Sequence, residues 1–473
     1  MSKKLIYIFI LSFLIACNAG ERSLIVAFTG DVNLDRGVND QLRLYGDSLL
    51  INSFSFLQKS DFVVINLEGT LTDSGIKQTD KYNFRASENK AVLLKNAGVT
   101  HVSVANNHIF DYDKIGYDNT VNSLVKSGVT TVGNVSEPVI ISNGKYTCAV
   151  LSASLSTHND SLPISNIEEL KASVKSYMVK STKVPLIVYI HWGLELQSTP
   201  EKWQAELATE LVQMGVDAII GHHPHVTQTV EYINSKPVFY SIGNFIADAY
   251  LPDTDLSYTV EFSISDSIEK VSIIPIELER YFPKLLTFDR HITSLKKHMK
   301  FSNASLYYSR GNWIVKQTRN VDFSENTDLW MIAENNTISM IKKLDDDQYA
   351  LSFQKDGLVA NVLRLNGKLS EIQIADINND SQIDILLGIS KKVNFDPNLK
   401  KRINIYTFKH NALEPLWLGT KFIDDIESFD VLKINNLNYL STVERTDNSQ
   451  QIERIYEWDD FGFGLTEFND IKK

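Results

Sequence analysis

The sequence is poor in cysteine and in positive charge, and both shortages exclude classes of protein. Two cysteines among 473 residues exclude a disulfide-bonded scaffold and a zinc site with four cysteine ligands. Lys and Arg total 47 against 58 Asp and Glu, which leaves a net charge of −11. We expect no nucleic-acid partner, because the neutralisation of phosphates by basic residues supplies most of that affinity.

Long apolar runs are also missing. The run from Leu5 to Ala16 follows two lysines and is shorter than the roughly 20 residues that cross a bilayer as a helix. It is typical of the core of a signal peptide. The end of this run, Leu14-Ile15-Ala16-Cys17, resembles the bacterial lipobox, in which the cysteine becomes the lipidated first residue of the mature protein.

We therefore predict that residues 1–17 are a lipoprotein signal peptide and that Cys17 is lipidated. The chain would then be an exported bacterial lipoprotein that is anchored to a membrane. The alternative is an ordinary cleaved signal peptide in which Cys17 is incidental. Cys148 lies in an apolar run and is expected to be a small buried hydrophobic residue.

The length predicts two or three domains, at roughly 150 residues each. In residues 23–280, short apolar runs alternate with helix-length segments, which favours layered β-sheets flanked by helices, an α/β class. The predicted strands are residues 24–28, 62–65, 102–105, 148–151, 184–190, 218–220 and 238–242, and the predicted helices are 89–97, 117–125 and 203–214. Residues 281–320 are basic and aromatic and are predicted to be a linker or docking segment. Residues 321–473 are predicted to be an all-β domain.

Polar clusters follow the predicted strands of the first half. Ligand sites in open α/β sheets form outside the carboxyl ends of the strands, so we expect these clusters to meet. They are Gly30-Asp31, Asn66-Leu67-Glu68, Asn106-Asn107-His108 with Asp111, His191-Trp192-Gly193 with Glu195 beyond, Gly221-His222-His223-Pro224-His225 and Gly243-Asn244-Phe245. Their imidazoles and carboxylates suit Zn, Mn, Fe or similar divalent ions. A pair of such ions is a common device for hydrolysing phosphoesters.

This ordered series resembles the bacterial capsule-synthesis protein family of the CapA/PgsA type. That family is associated with poly-γ-glutamate capsule, and its domain is related to calcineurin-like metallophosphoesterases. The resemblance implies one or two divalent ions, with Asp31, Glu68, Asn107, His191, His223 and His225 as metal ligands. It implies catalytic roles for His108 and Asp111, with His108 as the general acid or as the group that orients the phosphoryl oxygen.

Arg36 and Arg85 are candidates for holding an anionic substrate, since a guanidinium group matches carboxylate and phosphate alike. Surface salt bridges would explain these two arginines equally well.

The sequence departs from the metallophosphoesterase pattern at three places. Asn33 stands where the usual Asp-x-His opening has a histidine, and Glu68 stands where an aspartate usually bridges the ions. The run from His222 to His225 offers two registers for the His-x-His pair.

A second pattern lies in the C-terminal half. Asp376, Asn378, Asp380 and Asp384 occupy positions 1, 3, 5 and 9 of a loop between apolar runs. This spacing resembles the calcium loops of FG-GAP or VCBS-type β-propeller repeats, and it would suit Ca²⁺. Ser381 replaces the usual glycine, and an Asx-rich hairpin turn is the alternative. A propeller-like C-terminal domain is expected on this resemblance.

Two functions remain open from the sequence. The first is a lipid-anchored, metal-dependent hydrolase that acts on an anionic exopolymer or a phosphoester in capsule synthesis. The second is a non-catalytic, metal-containing subunit that binds polymer or assembles with capsule synthesis and export proteins. His108 favours the first function, because metal binding alone does not need it. The missing histidine at position 33 favours the second.

Overall fold

The computed structural model describes residues 22–466 apart from 80–81, 157–161, 181–182, 287–300, 303, 310–311, 318–328, 335–336, 346, 356–357, 360–361, 394–395, 410–411, 420–421, 436 and 460–461. The predicted signal peptide, with Cys17, lies outside the described residues. Within the described part of the chain, no helix is both long enough and apolar enough to cross a membrane.

The described helices all lie in the first half of the chain. They are α1 (Arg36–Tyr45), α2 (Ser48–Ser53), α3 (Lys90–Asn96), α4 (Asp113–Lys126), α5 (Ile167–Lys180) and α6 (Lys202–Gln213), with a short 3₁₀ turn at Ser55–Leu57. The three predicted helices correspond to α3, α4 and α6. The sequence interpretation missed α1, α2 and α5.

Strands make up the rest of the regular structure. The first sixteen are β1 (Leu24–Val32), β2 (Phe62–Leu67), β3 (Thr70–Leu71), β4 (Arg85–Ala86), β5 (His101–Ser103), β6 (Thr130–Val132), β7 (Val139–Ser142), β8 (Thr147–Ser154), β9 (Leu186–His191), β10 (Ala218–His222), β11 (Val230–Ile233), β12 (Lys236–Phe239), β13 (Asn244–Ile246), β14 (Leu256–Ile264), β15 (Ile268–Glu279) and β16 (Phe282–Leu285). Each of the seven predicted strands overlaps one of these.

The second sixteen strands are β17 (Phe301–Ser302), β18 (Ala304–Ser309), β19 (Asn312–Gln317), β20 (Leu329–Glu334), β21 (Thr337–Asp345), β22 (Gln348–Lys355), β23 (Leu358–Val359), β24 (Leu363–Asn366), β25 (Lys368–Ala375), β26 (Asp384–Val393), β27 (Asp396–Lys409), β28 (Ala412–Trp417), β29 (Asp425–Ile434), β30 (Leu437–Arg445), β31 (Gln451–Trp458) and β32 (Phe463–Leu465). Every regular element that the structure describes after residue 281 is a strand. The predicted α/β first half and all-β second half are therefore confirmed.

Two mixed sheets pack face to face in the first half. One contains the order β15-β14-β1-β2-β5-β6, and the other has the order β17-β11-β12-β10-β9-β8-β7. Their facing side chains form a shared core that includes Phe28, Tyr189 and Phe262. Cys148 is buried in this core, as the sequence predicts. Burial in apolar surroundings raises the pKa of its thiol to about 12, so it is inert.

Helices cover the outer faces of both sheets. Leu42 of α1, Leu94 of α3 and Leu124 of α4 share a core with the outer face of β1, β2 and β5. On the other side, α5 and α6 contribute Val174 and Leu211 to a core with β8, β9 and β10. The result is a layered arrangement in which two sheets lie between two sets of helices.

Local signals define where the helices begin. At α1, the Asp35 side chain accepts a hydrogen bond from the Arg36 amide at 2.8 Å, which satisfies one of the free N–H groups of the first turn. At α6, the Gln204 side chain accepts from the amide of Glu201 at 2.9 Å, in a capping box. Capping thus fixes the first turn of helices that are short and only partly apolar.

The C-terminal strands join the first half directly. Strands β18 to β24 continue the first sheet beyond β15, through the order β23-β22-β21-β20-β18-β19-β15. The segment 281–320, predicted as a linker or docking segment, thus contains β18 and β19, which hydrogen-bond to β20 and β15. The remaining strands form two four-stranded antiparallel sheets, β25 to β28 and β29 to β32.

Two glycines permit the close approach that brings the sheets together at one end. A Cβ on Gly30 would lie 1.8 Å from the carbonyl oxygen of Gly243, and one on Gly221 would lie 2.0 Å from that of Tyr240. Residues 240–243 lie between β12 in one sheet and β13 in the other, so any side chain at these glycines would push the two sheets apart.

His101, a buried histidine outside the polar clusters, predicts that the free energy of unfolding depends on pH. Burial, assisted by the charge of Lys95, lowers the pKa of His101 from 6.5 to about 4. The folded state therefore binds fewer protons than the unfolded state between these values, and stability falls as pH drops from 6.5 towards 4. The contribution of a shift of this size is about 3 kcal/mol.

We expect His101→Gln to reduce this loss, because glutamine does not titrate. The measurement is urea unfolding of both proteins at pH 7 and pH 4.5. An equal loss of unfolding free energy on acidification in variant and wild type would contradict the assignment.

Candidate metal centre and cleft

The polar clusters predicted at the strand ends meet between the two sheets. Asp31 is aligned with Asn66 of β2 and with Asn244 of β13. In the second sheet, His191 at the end of β9 is aligned with His222 at the end of β10. All of these side chains are buried. Parallel strand ends thus place carboxylates from one sheet against imidazoles from the other.

Asp31 is fully buried and surrounded by hydrogen-bond donors. Its Oδ1 accepts from Asn66 Nδ2 at 2.7 Å and lies 3.2 Å from His222 Nδ1. Its Oδ2 accepts from the backbone N–H of His223 at 3.1 Å and lies 3.4 Å from His225 Nδ1. Burial alone would raise the pKa of Asp31, but the hydrogen bonds from His222 and His225 lower it well below its usual range.

Glu68 has fewer partners. Its Oε1 lies 3.6 Å from His225 Nε2, 3.9 Å from His191 Nε2 and 4.0 Å from His108 Nε2. None of these is a hydrogen bond, so this oxygen is buried without a partner among the described residues. Burial raises the pKa of Glu68 well above its usual value, against the lowering effect of His225.

His191 connects two parts of the cluster. Its Nε2 donates to Asn107 Oδ1 at 2.7 Å, and its Nδ1 lies 2.8 Å from Nδ1 of His222. Burial, followed by the charges of His223 and His222, lowers the pKa of His191 well below 6.5. A neutral imidazole in this position has a lone pair available for a metal.

All three histidines in the run from His222 to His225 belong to groups of possible metal ligands. His222 groups with Asp31 and His191, His223 groups with Glu68 and His191, and His225 groups with Asp31 and Glu68. Both His223 and His225 have a left-handed backbone, with φ of 100° and 59°. Such angles are costly for residues other than glycine and collect at functional sites. The sequence left two registers open, and the ligand set implied by the resemblance omitted His222, whereas the fold brings all three rings into the cluster.

His108 and Asp111 form a pair at the edge of the cluster. His108 Nδ1 lies 2.8 Å from Asp111 Oδ2, and the same oxygen accepts from the Phe84 backbone N–H at 2.7 Å. The carboxylate therefore holds the proton on Nδ1 and leaves Nε2 directed towards Glu68. This geometry orients His108 for proton transfer at Nε2.

The donor set fits a divalent cation. Two buried carboxylates, one amide oxygen and four imidazoles converge here, and several of their nitrogen and carboxylate oxygen atoms lie within 4.8 Å of one another in groups of three. Within the described chain, Glu68 Oε1, His222 Nε2 and His223 Nδ1 are buried and lack hydrogen-bond partners. Buried polar atoms of this kind are costly unless they are paired. A cation bound by mixed N and O ligands would satisfy them.

A cleft of about 360 Å³ leads from the cluster to solvent. Arg36 lines it together with Glu68 and His225, and its guanidinium lies 4.6 Å from the ring centre of Phe84 and 5.0 Å from that of Tyr82. Arg85 is exposed and lies 4.6 Å from the ring centre of Tyr112, outside the lining of this cleft. The structure thus brings Arg36, and not Arg85, to the same cleft as the cluster.

The candidate calcium loop is described at residues 376–384. The carboxylate of Asp376 accepts from the N–H groups of Asp380 and Ser381, and Asn378 also accepts from Asp380. Asp384 accepts from Ile377, and burial raises its pKa to about 7. These hydrogen bonds are those of an Asx-rich turn. Calcium binding by the loop stays a prediction.

The first half of the chain is similar to bacterial capsule synthesis proteins. Residues 25–249 match the family described as "Bacterial capsule synthesis protein PGA_cap". The chain is 28% identical over 287 residues to "Capsule biosynthesis protein CapA" of Bacillus anthracis, which covers 56% of this chain and 70% of that protein. It is 25% identical over 331 residues to "PGA biosynthesis protein CapA" of Bacillus subtilis (strain 168), and this match spans 64% of this chain and 83% of that protein.

A more distant relative comes from Mycobacterium tuberculosis. The chain is 22% identical over 292 residues to a "Probable polyglutamine synthesis accessory protein" of that organism, across 53% of this chain and 76% of the relative. The matched residues 25–249 include every member of the buried cluster.

We expect the folded protein to be stabilised by a divalent ion through this cluster. An ion that binds only the folded state at 100 times its dissociation constant adds about 2.7 kcal/mol. The measurement is the unfolding midpoint of chelator-treated protein with and without added Mn²⁺ or Zn²⁺. His191→Ala should lose most of the increase, because His191 belongs to two of the ligand groups, while His101→Gln should retain it. No increase in the wild type would contradict the assignment of the cluster.

Proposed function

We propose that this chain, whose residues 25–249 match the bacterial capsule synthesis protein family, is a metal-dependent hydrolase acting in the synthesis of poly-γ-glutamate capsule or a related exopolymer. The observation that carries the proposal is the pairing of His108 with Asp111 and the position of His108 Nε2, 4.0 Å from Glu68, which lines an open cleft.

The ligands proposed for the metal centre, of one or two ions, are those that the fold brings together. Asp31, Glu68, Asn107, His191, His223 and His225 face one another, with His222 as an additional nitrogen donor. Mn, Zn and Fe are suited to such a mixture of imidazole and carboxylate. When bound, the metal would act as a Lewis acid and supply an activated water. The two-layered sheet core with flanking helices agrees with a metallophosphoesterase-like arrangement, which we include in the proposal.

The protein's own residues supply the remaining steps. Asp111 fixes the tautomer of His108, so Nε2 is the atom that exchanges a proton with a substrate in the cleft. Arg36 is held against two aromatic rings at the cleft wall and would bind a carboxylate or phosphate of the substrate. The substrate class that follows is an anionic polymer or a phosphoester.

A non-catalytic role is the competing function, and the same protein distinguishes the two. The metal-loaded full chain is assayed for hydrolysis of phosphoesters and of γ-glutamyl polymer. Turnover of either substrate supports the hydrolase. Polymer binding without turnover would instead favour a subunit that acts with capsule synthesis or export proteins.

Replacement of His108 separates chemistry from metal binding. We expect His108→Gln to lower kcat by about 10²–10⁴-fold, the usual contribution of general acid–base catalysis, with the metal content unchanged. His101→Gln makes the same substitution at a buried histidine outside the cleft and should leave turnover intact. Full activity in His108→Gln would rule out its proposed role.

We also propose that the chain is a lipoprotein anchored through Cys17. Fractionation of cells that express the wild type, Cys17→Ser and Cys148→Ala checks this. We expect Cys17→Ser to leave the membrane fraction, because a serine cannot take the thioether-linked lipid, and the Cys148→Ala control to remain there. Unchanged membrane attachment of Cys17→Ser would refute the anchor.

A further inference from the structure

The cluster is incomplete on the side of position 33. Asn33 follows Asp31 by two residues, but its side-chain oxygen accepts a hydrogen bond from the Asp35 N–H at 2.9 Å. Its backbone N–H donates to Ile246 at 2.8 Å. The asparagine therefore shapes the entry to α1, and its oxygen is committed to that turn. A further ligand on the open side of the cluster would have to come from another residue.

Glu195 lies on that side. It follows β9 and lines the cleft together with Asn33, Glu68 and His225. A carboxylate oxygen of Glu195 and one nitrogen each of His223 and His225 lie within 4.8 Å of one another. This is the geometry of a set of ligands around one ion, and Glu195 is its exposed member.

The backbone holds Glu195 in this place. The N–H of the next residue, Leu196, donates to the carbonyl of Pro224 at 2.8 Å. The side chain of Gln228 donates to the carbonyls of Gln197 and Thr199 at 2.8 and 3.2 Å. The segment after β9 is thus fastened to the segment that carries His223 and His225. The fold therefore sets the position of the backbone that carries Glu195.

We propose that Glu195 is a ligand of a second, outer ion, which it holds with His223 and His225 at the mouth of the cleft. The inner ion would belong to the buried carboxylates and His191. The inference rests on the proposed function, since it requires a metal-binding cluster. An exposed ligand makes the outer ion the weaker and more exchangeable one. Two divalent ions also outweigh the charges of Asp31, Glu68 and Glu195, which leaves a net positive site for an anionic substrate.

The test counts ions without relying on turnover. Full-length protein is purified in detergent, treated with chelator and titrated with Mn²⁺ by calorimetry, and the magnetic coupling between ions is followed by electron paramagnetic resonance. We expect two ions and a coupled signal in the wild type. In Glu195→Gln we expect the first ion to bind with unchanged affinity and the second to bind at least about tenfold more weakly. The coupled signal should then be absent when two equivalents of Mn²⁺ have been added.

A matched control is Glu206→Gln, which makes the same charge change at an exposed residue of α6 that pairs with Lys202. It should bind both ions as the wild type does. Equal unfolding midpoints of the metal-free proteins show that Glu195→Gln is folded.

The outcomes separate this inference from the proposed function. Two ions with wild-type affinities in Glu195→Gln, or a single ion in the wild type, would overturn the role of Glu195 and leave the metal-dependent hydrolase standing. A wild type that binds no ion would overturn both.

Discussion

The burial of two carboxylates in one place is the constraint on which the site depends. Asp31 and Glu68 are enclosed between two sheets, where an uncompensated negative charge is costly. The chain compensates Asp31 with donors from Asn66, His222, His223 and His225. Glu68 receives no comparable set, since its Oε1 has no hydrogen-bond partner in the described structure. A cation bound beside Glu68, as we propose, would give this oxygen a partner.

The backbone around the cluster also helps to stabilise the buried carboxylates. His223 has a left-handed backbone conformation, and in this conformation its N–H donates a hydrogen bond to Asp31. The strained backbone therefore provides one of the donors that stabilise the buried carboxylate. The absent side chains of Gly30 and Gly221 allow neighbouring backbone within 2.0 Å of where a Cβ would lie. The left-handed backbone of His223 and His225 and the close packing at Gly30 and Gly221 therefore occur together at these strand ends.

The parts that sequence patterns predicted are those set by local physics. Buried strands leave short apolar runs, and polar residues directly after them, such as Asp31 and His191, are expected at one edge of a sheet. Helix α1 was missed because only Val38 and Leu42 are buried, which is too little apolar repetition to detect. The orientation of His222 could not be predicted, since it follows from the backbone angles of its neighbours. Glu195 follows one of the predicted polar clusters, but its grouping with His223 and His225 depends on hydrogen bonds between loops, for which the sequence has no pattern.

Sheet order was equally out of reach of the sequence, and it has a consequence for how the chain folds. Strand β1 lies between β2 and β14, with Leu24 opposite Ile264. The strand that carries Asp31 therefore completes its hydrogen bonding only after more than half of the chain is available. Contacts so distant in sequence are slow to form, because the intervening loop must be closed first. Until β14 has been added, the edge of β1 that pairs with it lacks its hydrogen-bond partners.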